Sequence, residues 1–181
     1  MADRLFDDYF SVHLACDVHL DWLADATLPD AEALAGEQPA LKRQLDALAE
    51  QEQLLWAEVK DDRQGPLARL IELFGQKLTL VADQVLSDQL GATDWHQTVH
   101  FSAGGFSVAK ALCQGNQCKV SLRLPVGLVQ GYARLDAQDQ ELAYFHFVSL
   151  LEPDRERLVR LALQTQSDQL RARRERLEEK S

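Results

Sequence analysis

The chain has 181 residues, 46% hydrophobic and 27% charged, which suits one globular domain with an elaboration and leaves no room for two large ones. A formal net charge of -10 and a pI near 4.9 argue against general binding to nucleic acid or to an anionic membrane surface. The start, Met1-Ala2-Asp3-Arg4, lacks the basic and apolar regions of a signal peptide, and no apolar run reaches the roughly 18 residues of a spanning helix. Three cysteines, Cys16, Cys113 and Cys118, do not suggest a disulfide framework, so a cytoplasmic protein without membrane insertion is expected.

Phe10, Val12, Leu14, Cys16, Val18, Leu20 and Trp22 are apolar at every second position, opposite Ser11, His13, Asp17, His19 and Asp21. This period predicts a strand with one face on a core, bent near Ala15-Cys16 because the run is long for a straight strand. Cys16 then reads as a small buried hydrophobe. After Leu28-Pro29-Asp30 the period lengthens. Pro39 suits an early helical position, and Leu41, Leu45, Leu48, Leu55 and Val59 form a helical stripe.

Gly65-Pro66 opens a second long helix, in which Leu67, Ile71, Phe74, Leu78, Val81 and Val85 follow heptad steps of four and three. Leu70, Leu73, Leu80 and Leu86 widen its apolar face. The short linker 61–65 predicts an antiparallel hairpin whose helices cover part of one another. Self-association into a helical bundle is the natural cover for the rest.

Gly91-Ala92-Thr93 breaks the helix, after which Trp95, Gln97, Val99 and Phe101 alternate with His96, Thr98 and His100. Further strands are predicted at 106–108, 120–124, 128–135 and 142–148, with turns at 114–117 and 136–140, the pattern of an antiparallel barrel or sandwich. Pro153 then starts a closing helix that turns Leu158, Leu161, Ala162 and Thr165 to the core. That helix ends in the basic patch 171–176, read as a solvated helix end. The first strand cannot form a sheet alone, so it must pair with strands far along the chain. Residues 1–181 thus form one α+β domain, with a two-helix insertion at 30–90 and a C-terminal helix at 152–180.

The stretch His100-Phe101-Ser102-Ala103-Gly104-Gly105 ends a strand in a small-residue turn whose paired glycines permit close backbone approach. His100-x-Ser102-x-x-Gly105 resembles the D/N-x-S-x-x-G motif of the PilZ domain, a small β-barrel family that commonly binds the bacterial second messenger cyclic di-GMP. Together with the order of elements, the chain resembles an atypical, tetramer-forming PilZ protein, in which heptad-bearing helices inserted after the first strand associate into a bundle. The resemblance implies a bacterial, non-enzymatic regulatory or adaptor protein with no resident cofactor and a protein partner that the sequence does not name. It further implies a homo-oligomer, a tetramer rather than a dimer, joined through Leu67, Ile71, Phe74, Leu78, Val81 and Val85.

Ligand-binding members of that family also carry R-x-x-x-R before the first strand. Here Arg4 is followed four residues later by Asp8, whose carboxylate repels a phosphodiester. His100 replaces the motif's Asp or Asn, and a neutral imidazole does not reproduce a carboxylate acceptor. Weak or absent cyclic di-GMP binding is therefore expected. The alternative is a noncanonical receptor contacting the nucleotide through Arg4, His100, Ser102, Gly104 and Gly105, with phosphate donors among Arg123, Arg134, Arg171, Arg173 and Arg174.

Other clusters read as structural. His96 and His100 with Cys113 and Cys118 invite a zinc site, but the cysteines span a Gly-Asn turn without a second close pair, so no metal is assigned. His13, His19, Asp17 and Asp21 lack a neighbouring nucleophile, and neither a G-x-S-x-G elbow nor a phosphate loop occurs. Trp22, Trp56 and Trp95 are read as packing residues.

Overall fold

Alternating apolar positions build a closed antiparallel barrel. The computed structural model describes residues 12, 14–24, 27–58, 65–125 and 127–178. Its elements are β1 (Asp17–Leu23), α1 (Ala31–Glu37), α2 (Ala40–Glu58), α3 (Pro66–Leu90), β2 (His96–Phe101), β3 (Gly105–Ala109), β4 (Gln117–Leu124), β5 (Gly127–Gln138), β6 (Leu142–Leu150) and α4 (Glu152–Glu178). Round the barrel the order is β1-β2-β3-β6-β5-β4, and β4 returns to β1 from Asp17↔Arg123 to Leu23↔Gln117. The first strand thus pairs across about a hundred residues of chain, and the helices between it and β2 are an insertion into one α+β barrel domain.

Val18, Leu20, Val120, Leu122, Phe106 and Phe145 are among the side chains that fill the interior. The Phe106 and Phe145 rings stack with centroids 5.3 Å apart, and Trp22 leans on Phe145 at 5.8 Å. Cys16 and Cys118 are buried in the same core. Burial raises their thiols to about 11 and about 12 respectively, so neither is a ready thiolate.

β1 and β2 each depart from simple alternation in a way that bears on the glycine turn. β1 is shorter than the apolar run, and residues 1–11 and 13 lie outside the described residues. Val12 still bridges Phe101, and the bend between the bridge and β1 is held by Thr98, whose hydroxyl accepts from Cys16 N at 3.0 Å and donates to Leu14 O at 3.1 Å. In β2 the register against β3 slips between Thr98 and His100. That bulge turns Val99 out to solvent and leaves Thr98 and Phe101 buried, so the face expected from Trp95, Gln97, Val99 and Phe101 is broken midway.

The insertion opens with α1, a short helix in addition to the two long ones. Asp30 caps it, accepting from Ala33 N at 2.9 Å. Glu37 at its end accepts from Tyr132 OH and from Lys119 Nζ, both at 2.6 Å, and Ser149 Oγ donates to Pro29 O, so α1 is clasped to the outside of β4, β5 and β6. α3 rests on β5 near its C-terminal end and stops at Gly91, which takes φ 63 and donates to Asp88 O and Ser87 O.

The two long helices do not bury one another's leucines as a tight hairpin would. Leu48 on α2 and Leu78 on α3 line opposite walls of a groove of about 440 Å³, and both remain more than half exposed. The linker proposed to join these helices falls almost wholly outside the described residues. α4 packs Leu158, Leu161 and Ala162 into the barrel core as its spacing predicts, while Thr165, expected on the same face, is only half-buried as the helix runs on into its exposed polar half.

Buried charge ties α2 to α4. Lys42 Nζ lies 2.9 Å and 3.0 Å from the two Asp154 oxygens and 3.0 Å from Asp46. Arg157 reaches Asp154 at 3.0 Å and Asp46 at 2.7 Å. Gln130 N of β5 points to Asp154 Oδ2 at 3.4 Å, so barrel, insertion and closing helix meet at one carboxylate. Burial pushes the Asp154 carboxyl up, and the Lys42 and Arg157 charges oppose that rise. Lys42→Met should cost about 3 kcal/mol in denaturant unfolding because it leaves the buried Asp154 carboxylate with Arg157 as its one remaining cationic partner among the described residues, whereas Lys42→Met with Asp154→Leu should recover a large part of the loss.

Candidate functional site

The turn at 102–105 joins β2 to β3. Ser102 N donates to Gly105 O at 2.8 Å, and the Ser102 hydroxyl accepts from both Gly104 N and Gly105 N at 3.1 Å. Ser102 is fully buried, so this hydroxyl is spent on bracing the turn. Gly104 O accepts from Phe147 N at 2.9 Å, pinning the turn to β6. A Cβ on Gly105 would stand 2.1 Å from Phe145 O, so the glycine here serves close strand packing.

His100 is half-buried and turned to its own sheet: its backbone N donates to Ser107 Oγ at 3.1 Å, and Nδ1 lies 2.9 Å from the same oxygen. The structure therefore gathers His100, Ser102, Gly104 and Gly105 at one end of β2 and β3, with hydrogen bonds to one another, to Ser107 and to β6. Arg4 lies outside the described residues.

Of the arginines considered as phosphate donors, Arg134 comes nearest in register. Gly105 pairs with His146, and His146 pairs with Arg134. Arg134 is thus two strands from the glycine turn, roughly 10 Å at ordinary strand spacing, and is exposed. Asp136 stands 3.8 Å from the His146 ring and makes the patch partly acidic. Arg123 is on β4, diametrically across the barrel from β3. Arg171 is exposed on α4, and the side chains of 173 and 174 are outside the described residues. Among the described residues no group of three or more His, Cys, Asp or Glu side chains is placed to hold a metal ion.

A second polar centre, which the sequence did not single out, holds α3 against the barrel. Arg123 stacks on Trp95 with its guanidinium carbon 4.3 Å from the ring centroid, donates to Ser87 Oγ at 2.8 Å and lies 3.6 Å from Asp17. Its three partners come from three separate stretches of chain, so no local spacing could have revealed them. Asp83, one turn before Ser87, is buried at the same interface, and desolvation raises its carboxyl to about 6 against the pull of Arg123, the Leu128 amide and Arg157.

The heptad residues of α3 lie on the opposite side of the helix from this anchorage. Leu67, Ile71, Phe74, Leu78, Val81 and Val85 are all exposed, from 40% at Val85 to 69% at Leu78. The flanking Leu70, Leu73 and Leu80 are exposed as well, whereas Leu86 is buried against the barrel.

No protein-family model and no curated protein matches the chain. Among solved structures it is similar to a pathogenic protein from Xanthomonas campestris, described as a new tetrameric PilZ domain self-assembled via an unusual helical bundle. That likeness has 20% identity and a TM-score of 0.48, covering 92% of this chain and 93% of the other.

Two outcomes follow for the site. Gly105→Ala should destabilise the barrel by about 2 kcal/mol or more, read from the urea midpoint, because a backbone carbonyl must move. Since folded Asp83 holds its proton up to about pH 6 while an unfolded aspartate releases it near 3.8, stability should fall as pH rises through that window. Thermal unfolding of Asp83→Asn between pH 4 and 7 should lack that fall.

Proposed function

We propose that this chain is an atypical PilZ-domain protein that acts without catalysis, as a regulatory or adaptor component of cyclic di-GMP signalling, and that it self-associates through α3. The observation that carries this reading is the unburied heptad ridge. Six large apolar side chains at coiled-coil spacing face solvent on a helix whose other side is anchored to the barrel. Burying each would contribute about 1.5–3 kcal/mol before the entropic cost of association. Leu70, Leu73 and Leu80 broaden the ridge beyond what one neighbouring helix covers, which favours a tetramer over a dimer.

The turn geometry supports weak or absent cyclic di-GMP binding. The hydroxyl of Ser102 is saturated by backbone amides, Gly105 is pressed against β6, and the His100 ring is engaged by Ser107. With Asp8 in place of the second arginine, the turn offers a phosphodiester little beyond Arg134. Arg134 is also the feature that favours the second reading, a noncanonical receptor, since its row runs to the glycine turn. In either case the barrel surface is the face left for a protein partner. Among the described residues no helix is long and apolar enough to cross a membrane.

Sedimentation velocity should give a mass near four times 20.4 kDa for the wild type. Phe74→Glu with Leu78→Glu should yield smaller species with the barrel intact by circular dichroism, and an unchanged mass would reject this face. Titration calorimetry with cyclic di-GMP, against cyclic di-AMP and GTP, should show no saturable heat. Saturable binding of the first alone, lost in Arg134→Glu, would establish the receptor.

A further inference from the structure

The groove between α2 and α3 has an apolar wall and a charged base. Leu45, Leu48 and Ala49 of α2 supply the wall. Lys42, Asp46 and Arg157 line the base, where with Asp154 they form a closed set of two cations and two anions. That set satisfies itself and leaves no net charge for the groove.

Asp83 stands outside the set. It lines the same groove, is 4% exposed, accepts from the Leu128 amide, and takes part in no ion pair among the described residues. Arg123 and Arg157 act on it only from beyond ion-pair distance, and burial without a paired cation lifts its carboxyl to about 6. Thr79, Gln76 and Glu72 precede it by four, seven and eleven residues, the spacing that keeps side chains on one helix face, and all three line the groove. The row spans about 16 Å at 1.5 Å per residue. It consists of acceptors: two carboxylates, an amide carbonyl, and a hydroxyl whose proton is already given to Gly75 O at 3.0 Å. Glu52 of α2 adds another carboxylate to the lining. The cations of the lining, Lys42 and Arg157, are both committed to Asp46 and Asp154.

A ligand complementary to this groove carries donors only, at intervals along an apolar stem. We propose that the groove binds a linear aliphatic polyamine of the spermidine class. One terminal ammonium meets Asp83, the secondary ammonium meets Gln76 and Thr79, and the far ammonium meets Glu72, while the methylene segments lie against Leu45, Leu48 and Ala49. The extended ligand, with an ion-pair contact at each end, is close in length to the acceptor row, and its positive charges match Asp83, Glu72 and Glu52. Of the heptad residues only Leu78 lines the groove, so a polyamine there leaves the rest of the ridge open.

The test is titration calorimetry of the full chain with spermidine, with butylamine, Mg2+ and trilysine as controls. Spermidine should bind saturably at one site per chain and more tightly than butylamine. Mg2+, a hydrated point charge without a stem, and trilysine, whose ammonium groups branch from a peptide backbone, should not displace it; displacement by either overturns the polyamine assignment. Asp83→Asn keeps the side-chain volume and an acceptor for the Leu128 amide, so circular dichroism should not change. Its spermidine affinity should fall at least about tenfold, the worth of one charge-assisted hydrogen bond. Glu72→Gln, on an exposed side chain, should weaken spermidine severalfold and leave butylamine unchanged. Absence of saturable heat overturns the site. So does binding at several sites per chain that neither substitution alters, the result expected if the net charge of -10 alone gathers polycations. Should Asp83→Asn fail to fold, the two titrations of Glu72→Gln decide.

Discussion

An ammonium and a carboxylate withdrawn from water hold the three parts of this molecule in one arrangement. Lys42 and Asp154 are 112 positions apart in sequence, and each is almost wholly buried. Taking either charge out of water alone costs several kcal/mol, so the pair is stable only when α2, α4 and β5 meet. Asp46 and Arg157 extend it to two cations and two anions, leaving the cluster neutral. A hydrophobic seam at the same place would tolerate sliding. This cluster fixes both the lateral position and the rotation of α2, because each donor must find its own oxygen.

That constraint explains how the insertion can be firmly attached and yet carry so much exposed apolar surface. α2 is held near its N-terminal end by Lys42 and Asp46, α3 near its C-terminal end by Asp83, Leu86 and Ser87. Both anchorages sit on the barrel. Between them the helices carry leucines that stay exposed, Leu48, Leu54 and Leu55 on α2 and Leu70, Leu73, Leu78 and Leu80 on α3.

The glycine turn shows the opposite economy. Its polar groups are engaged locally: Ser102 braces its own turn, Gly105 admits β6, and His100 bonds to Ser107. Ser102 and Gly105 are explained by the packing of the barrel end.

Periodicity in the sequence determined the class of the strands and of the long helices, though not the short α1. Period two along Val18 and Leu20, along 120–124 and along 142–148 specified strands with one face buried, and the heptad steps from Leu67 to Val85 specified a long helix with a ridge. The position of the helices between the first strand and the rest made them an insertion, since a lone strand cannot satisfy its backbone. What local pattern could not determine was anything set by residues distant in sequence. The bulge at Val99, the pairing of Lys42 with Asp154, the stacking of Arg123 on Trp95 and the separation of α2 from α3 each depend on where another element lies. Charges and hydrogen bonds are satisfied pairwise and across space, whereas alternation records only which side of an element is dry. Tertiary structure therefore decided which glycines pack strands, which carboxylates are buried, and which leucines stay exposed.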